Sequence, residues 1–326
     1  MKRAKTYLAY GIRITTSFPL DDLPLADGPT DVTVRSGPVS DSLVDSLMSG
    51  ARSFENPGAK FRFCPSAMYA RWDRVGKVLV RDGNEVIVER ESGATLEDLG
   101  PFLTGPVLAA LLHQRGCFVL HASCISINGA AAVFVGPKGY GKSTLAAHLR
   151  ARGHGLLSDD IVPLLRRDEQ VWIEPGFPRI KLYDDSIEAI GADPADFPTI
   201  HRFASKRSMQ TKETCDTGPV PLRAIYILNE SSKFRITKPS PADAFIEVMK
   251  NVHLGRFLEE TRCQSSYFLF CQDLTRRVPV FRLDRPSSFT EMPRILDGLE
   301  QHISEIAHAD LPIDNSSSLP TSLDLV

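Results

Sequence analysis

Short apolar runs separated by turn residues fill the first 94 positions, and they predict strands rather than helices. Tyr7-Leu-Ala-Tyr-Gly-Ile-Arg-Ile and Asp31-Val-Thr-Val-Arg are the first β-like segments. Lys77-Val-Leu-Val-Arg and Glu85-Val-Ile-Val-Glu flank Asp82-Gly-Asn, a pattern that predicts a hairpin. The period then changes. From Leu96 to Gln114 the apolar residues Leu99, Phe102, Leu103, Val107, Leu108, Leu111 and Leu112 recur at helical spacing, and Gly116 supplies a stop.

A second pattern begins at Cys117. Cys117-Phe-Val-Leu and Ser123-Cys-Ile-Ser-Ile read as strand, and Asn128-Gly129 reads as a hairpin turn. Ala130-Ala-Ala-Val-Phe-Val is apolar throughout, the signature of a strand buried on both faces. A helix is predicted from about Lys142 to Arg152, closed by Gly153. Arg223-Ala-Ile-Tyr-Ile-Leu and Val278-Pro-Val-Phe-Arg-Leu predict further strands; Pro241 to Glu260 and Ser288 to Ile306 predict helices. Pro194 to Pro221 lacks periodicity and carries Lys206, Arg207 and Lys212, so it reads as a mobile basic loop. Ala309 to Val326, with Ser316, Ser317 and Ser318 among Asp and Pro, reads as a disordered tail. The expected division is a β-rich region with a linking helix over 1–116, an α/β core over 117–308 and a tail over 309–326.

Composition narrows the class. The chain has 326 residues, 42% of them hydrophobic and 24% charged, the mix of a globular protein. Its 38 Lys and Arg against 40 Asp and Glu give a net charge of −2, which offers no global field for nucleic acid. The start, MKRAKTYLAYGIRITTSFPL, is basic, but Tyr7 to Tyr10 is too short for a signal-peptide core. The run Ala130 to Val135 falls far short of the roughly 20 apolar residues of a membrane helix. The expectation is a cytoplasmic protein that binds neither membrane nor nucleic acid. Cysteines at 64, 117, 124, 215, 263 and 271 form no CxxC pair and read as small buried hydrophobes.

The chemistry concentrates after Val135. Gly136-Pro137-Lys138-Gly139-Tyr140-Gly141-Lys142-Ser143 fits the phosphate-loop pattern of Gly, four residues, Gly-Lys and Ser or Thr. Glycines let successive N–H groups turn inward at phosphate oxygens. Lys142 sets a positive charge against the β- and γ-phosphates, and Ser143 offers a hydroxyl to Mg²⁺. The predicted helix, with Thr144 in its first turn, adds its positive dipole end. An apolar strand before the loop and a helix after it are the context the motif requires. ATP and Mg²⁺ are therefore the expected ligands.

Asp159 and Asp160 close the next strand, 17 residues after Lys142. In a βαβ unit both parallel strands finish on one sheet edge, so these carboxylates belong beside the phosphates. One can help hold Mg²⁺, for which Ser143 and Asp160 are the candidate ligands, and the other can accept a proton from an attacking hydroxyl. On an ideal strand the two side chains diverge, so the strand end has to turn for both to act. His121, 15 residues before Gly136, is expected at a strand end on the same edge. Read alone it would be a packed core histidine. His148 and His154 have weaker claims, one on the motif helix and one just after it.

Taken in order, His121, Gly136 to Ser143, Arg152-Gly153-His154 and Asp159-Asp160 resemble the HPr kinase/phosphorylase family. The resemblance implies a core related to phosphoenolpyruvate carboxykinases and a phosphoserine product. It implies one Asp as general base, either Asp159 or Asp160, with His121 in support. It also implies a homo-oligomer, as HPr kinases are. The chain departs from that family after Lys142-Ser143, where Thr144-Leu145 stand in place of Glu-Thr. It also has Glu174-Pro-Gly-Phe-Pro-Arg-Ile-Lys-Leu182 where an Arg-Gly-Leu-Gly-type signature is expected. A longer resemblance is to HPr-kinase-like enzymes of lasso peptide gene clusters. It rests on Tyr10 to Leu20, Leu111 to Gly116, Leu120 to Ser123, Pro175 to Arg179, Lys206-Arg207 and Arg277 to Leu283. It implies an ATP-dependent kinase acting on a serine, typically the C-terminal one, of a ribosomally made precursor peptide.

Arg179 and Lys206 are second-tier candidates, because a transferring phosphoryl group needs positive charge around its equatorial oxygens. Two other readings share the same residues. One is a kinase acting on a carrier protein or small metabolite. The other is a nucleotide-binding regulator without transfer.

Overall fold

The computed structural model describes residues 4–200, 204–210, 218–255 and 264–308. The Ser-rich tail 309–326, Lys212, Cys215, Cys263 and the 256–260 end of the predicted helix lie outside the described residues. The chain is a mixed α/β protein with several sheets, divided into two compact units. The first takes residues up to Phe118 with short pieces around 254–267; the second takes most of the remainder.

The first unit is built on one eight-stranded mixed sheet. Its strands are β1 (Lys5–Ala9), β2 (Ile12–Thr16), β3 (Val32–Ser36), β4 (Ser53–Asn56), β5 (Ala59–Cys64), β6 (Ala67–Trp72), β7 (Gly76–Arg81) and β8 (Glu85–Arg90). Their order is β1-β2-β3-β8-β7-β6-β5-β4. The predicted Tyr7-to-Ile14 segment is two strands, because the chain reverses at Tyr10-Gly11, both with positive φ. The β7–β8 hairpin pairs Arg81 with Glu85 around the Asp82-Gly-Asn turn. Helix α1 (Asp41–Leu47), capped by Ser40, contributes Val44 to a cluster with Met48, Leu79 and Ile87.

The predicted helix from Leu96 to Gln114 is not continuous. Helix α2 (Leu96–Phe102) starts at a Thr95–Asp98 capping box and α3 (Leu108–Gln114) ends at Arg115. Between them Leu103–Val107 winds wider, with Gly105 at φ −117°, ψ −108°. Pro101 and Pro106 cause this, since each lacks a backbone donor and crowds the preceding turn.

The second unit centres on a sheet ordered β12-β10-β11-β17-β14-β13-β9. Its strands are β9 (Phe118–Leu120), β10 (Ser123–Ile127), β11 (Ala130–Val135), β12 (Gly155–Asp159), β13 (Val162–Arg167), β14 (Gln170–Ile173) and β17 (Val220–Glu230). A separate ribbon pairs β15 (Arg179–Leu182) with β16 (Arg207–Gln210). Strand β18 (Arg235–Thr237) pairs with β19 (Val280–Arg285), which runs parallel to β17. Its helices are α4 (Lys142–Ala151), α5 (Asp184–Ala189), α6 (Pro241–Lys250), most of α7 (Gln264–Arg277) and α8 (Met292–His308).

All six residues of β11 are buried, as their uninterrupted apolar run demands. Leu145 and Leu149 of α4 join Phe134, Tyr226 and the α8 stripe Ile295, Leu296, Leu299 and Ile303 in one core. The segment Pro194 to Pro221, read as a loop, contains strand β16 and the start of β17. Its structure is made by pairing with β15, which no local pattern announces. No helix among the described residues is long and apolar enough to cross a membrane.

Candidate functional site

The loop Gly136–Ser143 joins β11 to α4. Gly136 leaves the strand at φ 147°, where an added Cβ would lie 3.1 Å from the carbonyl oxygen of Leu228. Gly141, at φ 74°, turns the chain into α4 as its N-cap. Lys142 folds back over the loop. Its Nζ donates to the carbonyls of Gly136 at 2.7 Å and Pro137 at 3.2 Å. Burial pushes this ammonium below its ordinary pKa, while Asp159 and Asp160 oppose the shift and Lys206 adds to it. Both carboxylates and Lys206 are thus within electrostatic reach of the loop lysine.

Topology explains why. β10 lies between β11 and β12 and runs antiparallel to each, so β11 and β12 point the same way. Ser123 at the start of β10 is opposite Phe134 on one side and Asp159 on the other. The ends of β11 and β12 therefore reach the same edge. Asp159 is buried; its Oδ1 accepts from Ser123 Oγ at 2.6 Å and its Oδ2 from the Lys181 amide at 3.1 Å. Asp160 follows at φ 81°, a conformation uncommon for a non-glycine residue. The chain thus turns at the end of β12.

Asp160 is bracketed by Lys181 and His121. Lys181 Nζ donates to its Oδ2 at 2.6 Å, and His121 Nδ1 lies 3.0 Å from Oδ1 and 3.2 Å from its carbonyl oxygen. Burial alone would raise this carboxyl's pKa; Lys181, His121 and His253 outweigh it and hold the group well below the carboxylate range. Two acceptors face His121 Nδ1, so that nitrogen carries the proton and a neutral ring keeps its lone pair on Nε2.

The turn after α6 fixes the histidines. Asn251 carbonyl accepts from His121 N–H at 2.8 Å, and His253 N–H donates to Val119 carbonyl at 2.8 Å. Asn251 Oδ1 also accepts from Gly136 N–H at 2.9 Å, while its Nδ2 donates to Glu247 carbonyl at 2.8 Å. One residue thus ties the loop, α6 and His121 together. His121, Asp160 and His253 present ligand atoms within 4.8 Å of one another, so they could jointly hold a cation. A hard cation such as Mg²⁺ would draw on oxygens, which means Asp160 and Ser143.

Arg179 is on strand β15 and buried, with its guanidinium 4.9 Å from the Phe177 ring. Ile180 and Leu182 enter the core, so Arg179 and Lys181 share the opposite face of β15. Lys206 Nζ sits 4.9 Å over the Tyr183 ring. Thr144 Oγ1 meets Ser186 Oγ of α5 at 3.0 Å. Pro137, Lys138 and Gly139 complete the loop. His154 pairs with Glu300 at 2.9 Å and His148 stacks on Phe289. Sequence reading missed Ser123, Lys181, Asn251 and His253. Lys181 had a signal, two positions after Arg179 on one strand face. Asn251 and His253 had none, being over a hundred residues from the loop.

No family model matches the chain. Several curated proteins do, each named HPr kinase/phosphorylase. The protein from Azoarcus sp. (strain BH72) is 30% identical over 148 residues, covering 42% of this chain and 46% of its own length. That from Chlorobium limicola is 38% identical over 60 residues, covering 18% and 17%. That from Limosilactobacillus reuteri is 38% identical over 72 residues, covering 22% of each. The chain thus spans less than half the length of these relatives. Among solved structures, the Hpr(Ser) kinase/phosphatase from Coxiella burnetii aligns with 58% of this chain and 98% of its own, at 15% identity and a TM-score of 0.31. These partial sequence matches support an HPr kinase-like family for the chain.

Proposed function

We propose that this protein is an ATP- and Mg²⁺-dependent kinase that phosphorylates a serine hydroxyl, with the C-terminal serine of a ribosomally made precursor peptide as acceptor. In this reading the fold core is related to phosphoenolpyruvate carboxykinases and works as a homo-oligomer, and the first unit selects the peptide. The observation that carries the reading is Asp160, bracketed by His121 and Lys181 within the field of Lys142. The serine Oγ forms a bond to the γ-phosphorus as the bond to the β–γ bridging oxygen breaks, and ADP leaves. The hydroxyl proton passes to the His121–Asp160 pair, with His121 Nε2 as the acceptor atom. Lys142 and the loop amides hold the phosphates, and Arg179 and Lys206 add positive charge around the transferring group. Mg²⁺, held by Ser143 and Asp160, would neutralise charge on the β- and γ-phosphates.

The test is mass spectrometry of a synthetic peptide ending in serine after incubation with the protein, ATP and Mg²⁺. Each phosphate adds about 80 mass units. Asp159→Ala combined with Asp160→Ala should abolish the gain; full transfer by that variant would refute the assigned chemistry. The relatives' name supports a second acceptor, the carrier protein HPr, which belongs in a parallel reaction. ATP binding without transfer to either acceptor would favour a nucleotide-binding regulator.

A further inference from the structure

Arg285 ends β19, opposite Glu230 of β17. β17 in turn pairs with β11, where Ile227 is opposite Val135, the last residue before the phosphate loop. Arg285 therefore stands one strand away from β17's contact with that loop, and beyond the level at which β11 ends. Its side chain reaches back. Nη2 donates to the Tyr140 carbonyl at 2.7 Å and Nη1 to the Pro286 carbonyl at 3.3 Å.

The residue is only 6% exposed. Its Nε is buried with no hydrogen-bond partner among the described residues, and no carboxylate there comes within salt-bridge distance. Burial lowers its pKa, with Glu230 opposing weakly. A buried cation without a paired anion is costly, so its place needs a reason. Gly141 supplies one. A Cβ built there would overlap Arg285 Nη2, so the glycine is required by the guanidinium as well as by its φ of 74°.

We propose that Arg285 is a positioning residue for nucleotide di- and triphosphates: it clamps the Tyr140 carbonyl outward so that the following amides of Gly141 and Lys142 face the phosphates. This rests on reading Gly136–Ser143 as a nucleotide phosphate site. A peptide plane has its carbonyl and the next N–H on opposite sides, so holding the Tyr140 oxygen fixes the Gly141 N–H. The polyphosphate then supplies the negative charge that the buried guanidinium lacks in the protein itself. Such a clamp discriminates by phosphate count, because a monophosphate does not span the loop.

The test titrates wild type, Arg285→Met and Arg285→Lys with N-methylanthraniloyl-labelled AMP, ADP and ATP, alongside thermal melting without nucleotide. A charged hydrogen bond to a backbone carbonyl corresponds to roughly tenfold to hundredfold in affinity. ADP and ATP should weaken by that factor in Arg285→Met, AMP should change by less than about threefold, and Arg285→Lys should recover part of the loss. Melting of Arg285→Met should equal or exceed wild type, since an apolar side chain removes an uncompensated buried charge. Wild-type affinity for ADP in Arg285→Met, or an equal loss for AMP, overturns the inference. If Arg285→Met does not fold, Gly141→Ala carries the same expectation, and normal ADP binding there overturns it. Lys142→Ala separates the two levels. Loss of ADP in Lys142→Ala but not in Arg285→Met leaves the phosphate site standing and removes only the clamp; a wild type that binds no nucleotide removes both.

Discussion

Asn251 gives the sharpest check on how the site is held. Its side chain makes two neutral hydrogen bonds, from Gly136 N–H at 2.9 Å and to Glu247 carbonyl at 2.8 Å. Each is worth about 0.5–1.5 kcal/mol, so Asn251→Ala should cost the second unit about 1–3 kcal/mol. At about 2–4 °C per kcal/mol for a unit of this size, melting should fall by about 2–12 °C. The His121–Asn251 bond is between backbone groups and survives, so His121 keeps its anchor. Asn251→Asp retains an acceptor for Gly136 N–H but sets a carboxylate oxygen against the Glu247 carbonyl. It should therefore be destabilised yet bind ADP more nearly like wild type than Asn251→Ala does. Differential scanning calorimetry and ADP titration calorimetry measure the two effects. An Asn251→Ala protein that melts within a degree of wild type and binds ADP equally well would refute the staple.

Two other outcomes are expected. Ser123→Ala removes the buried donor to Asp159 Oδ1 and should lower stability by about 1.5–3 kcal/mol in urea unfolding; an unchanged midpoint would show that the bond contributes nothing. Burial pushes His253 down to about 4, so the unfolded chain binds the extra proton between pH 6.5 and 4. The corresponding stability, at most about 3.4 kcal/mol, is full above pH 6.5 and is lost as pH falls toward 4. In metal-free protein His253→Gln should flatten this acid slope, and identical slopes for variant and wild type between pH 7 and 4.5 would contradict it.

Elements whose signal is local were legible in the chain. The β7–β8 hairpin, the buried strand β11 and helix α4 with its Gly-rich entry each follow from one short continuous stretch of sequence. Helix α2–α3 was legible in period but not in continuity, because Pro101 and Pro106 override the apolar spacing. The ribbon β15–β16 was not legible. Its strands are 24 residues apart, and each is stabilised by the other rather than by its own pattern. Helix α7 was missed because Phe268 and Leu269 are exposed, which blurs the amphipathic stripe.

The sequence by itself determined the candidate groups: a phosphate-loop pattern from Gly136 to Ser143, a carboxylate pair at 159 and 160 and a histidine at 121. Their residue types and spacings follow from chemistry confined to short segments. Only the tertiary structure decided what surrounds them. It set Lys181 against Asp160, Asn251 against Gly136 and Arg285 against Tyr140. These contacts join residues 21, 115 and 145 positions apart. No periodicity in the chain spans such distances; they are fixed by the order in which β12, β10, β11, β17 and β19 pair and by the turn that follows α6.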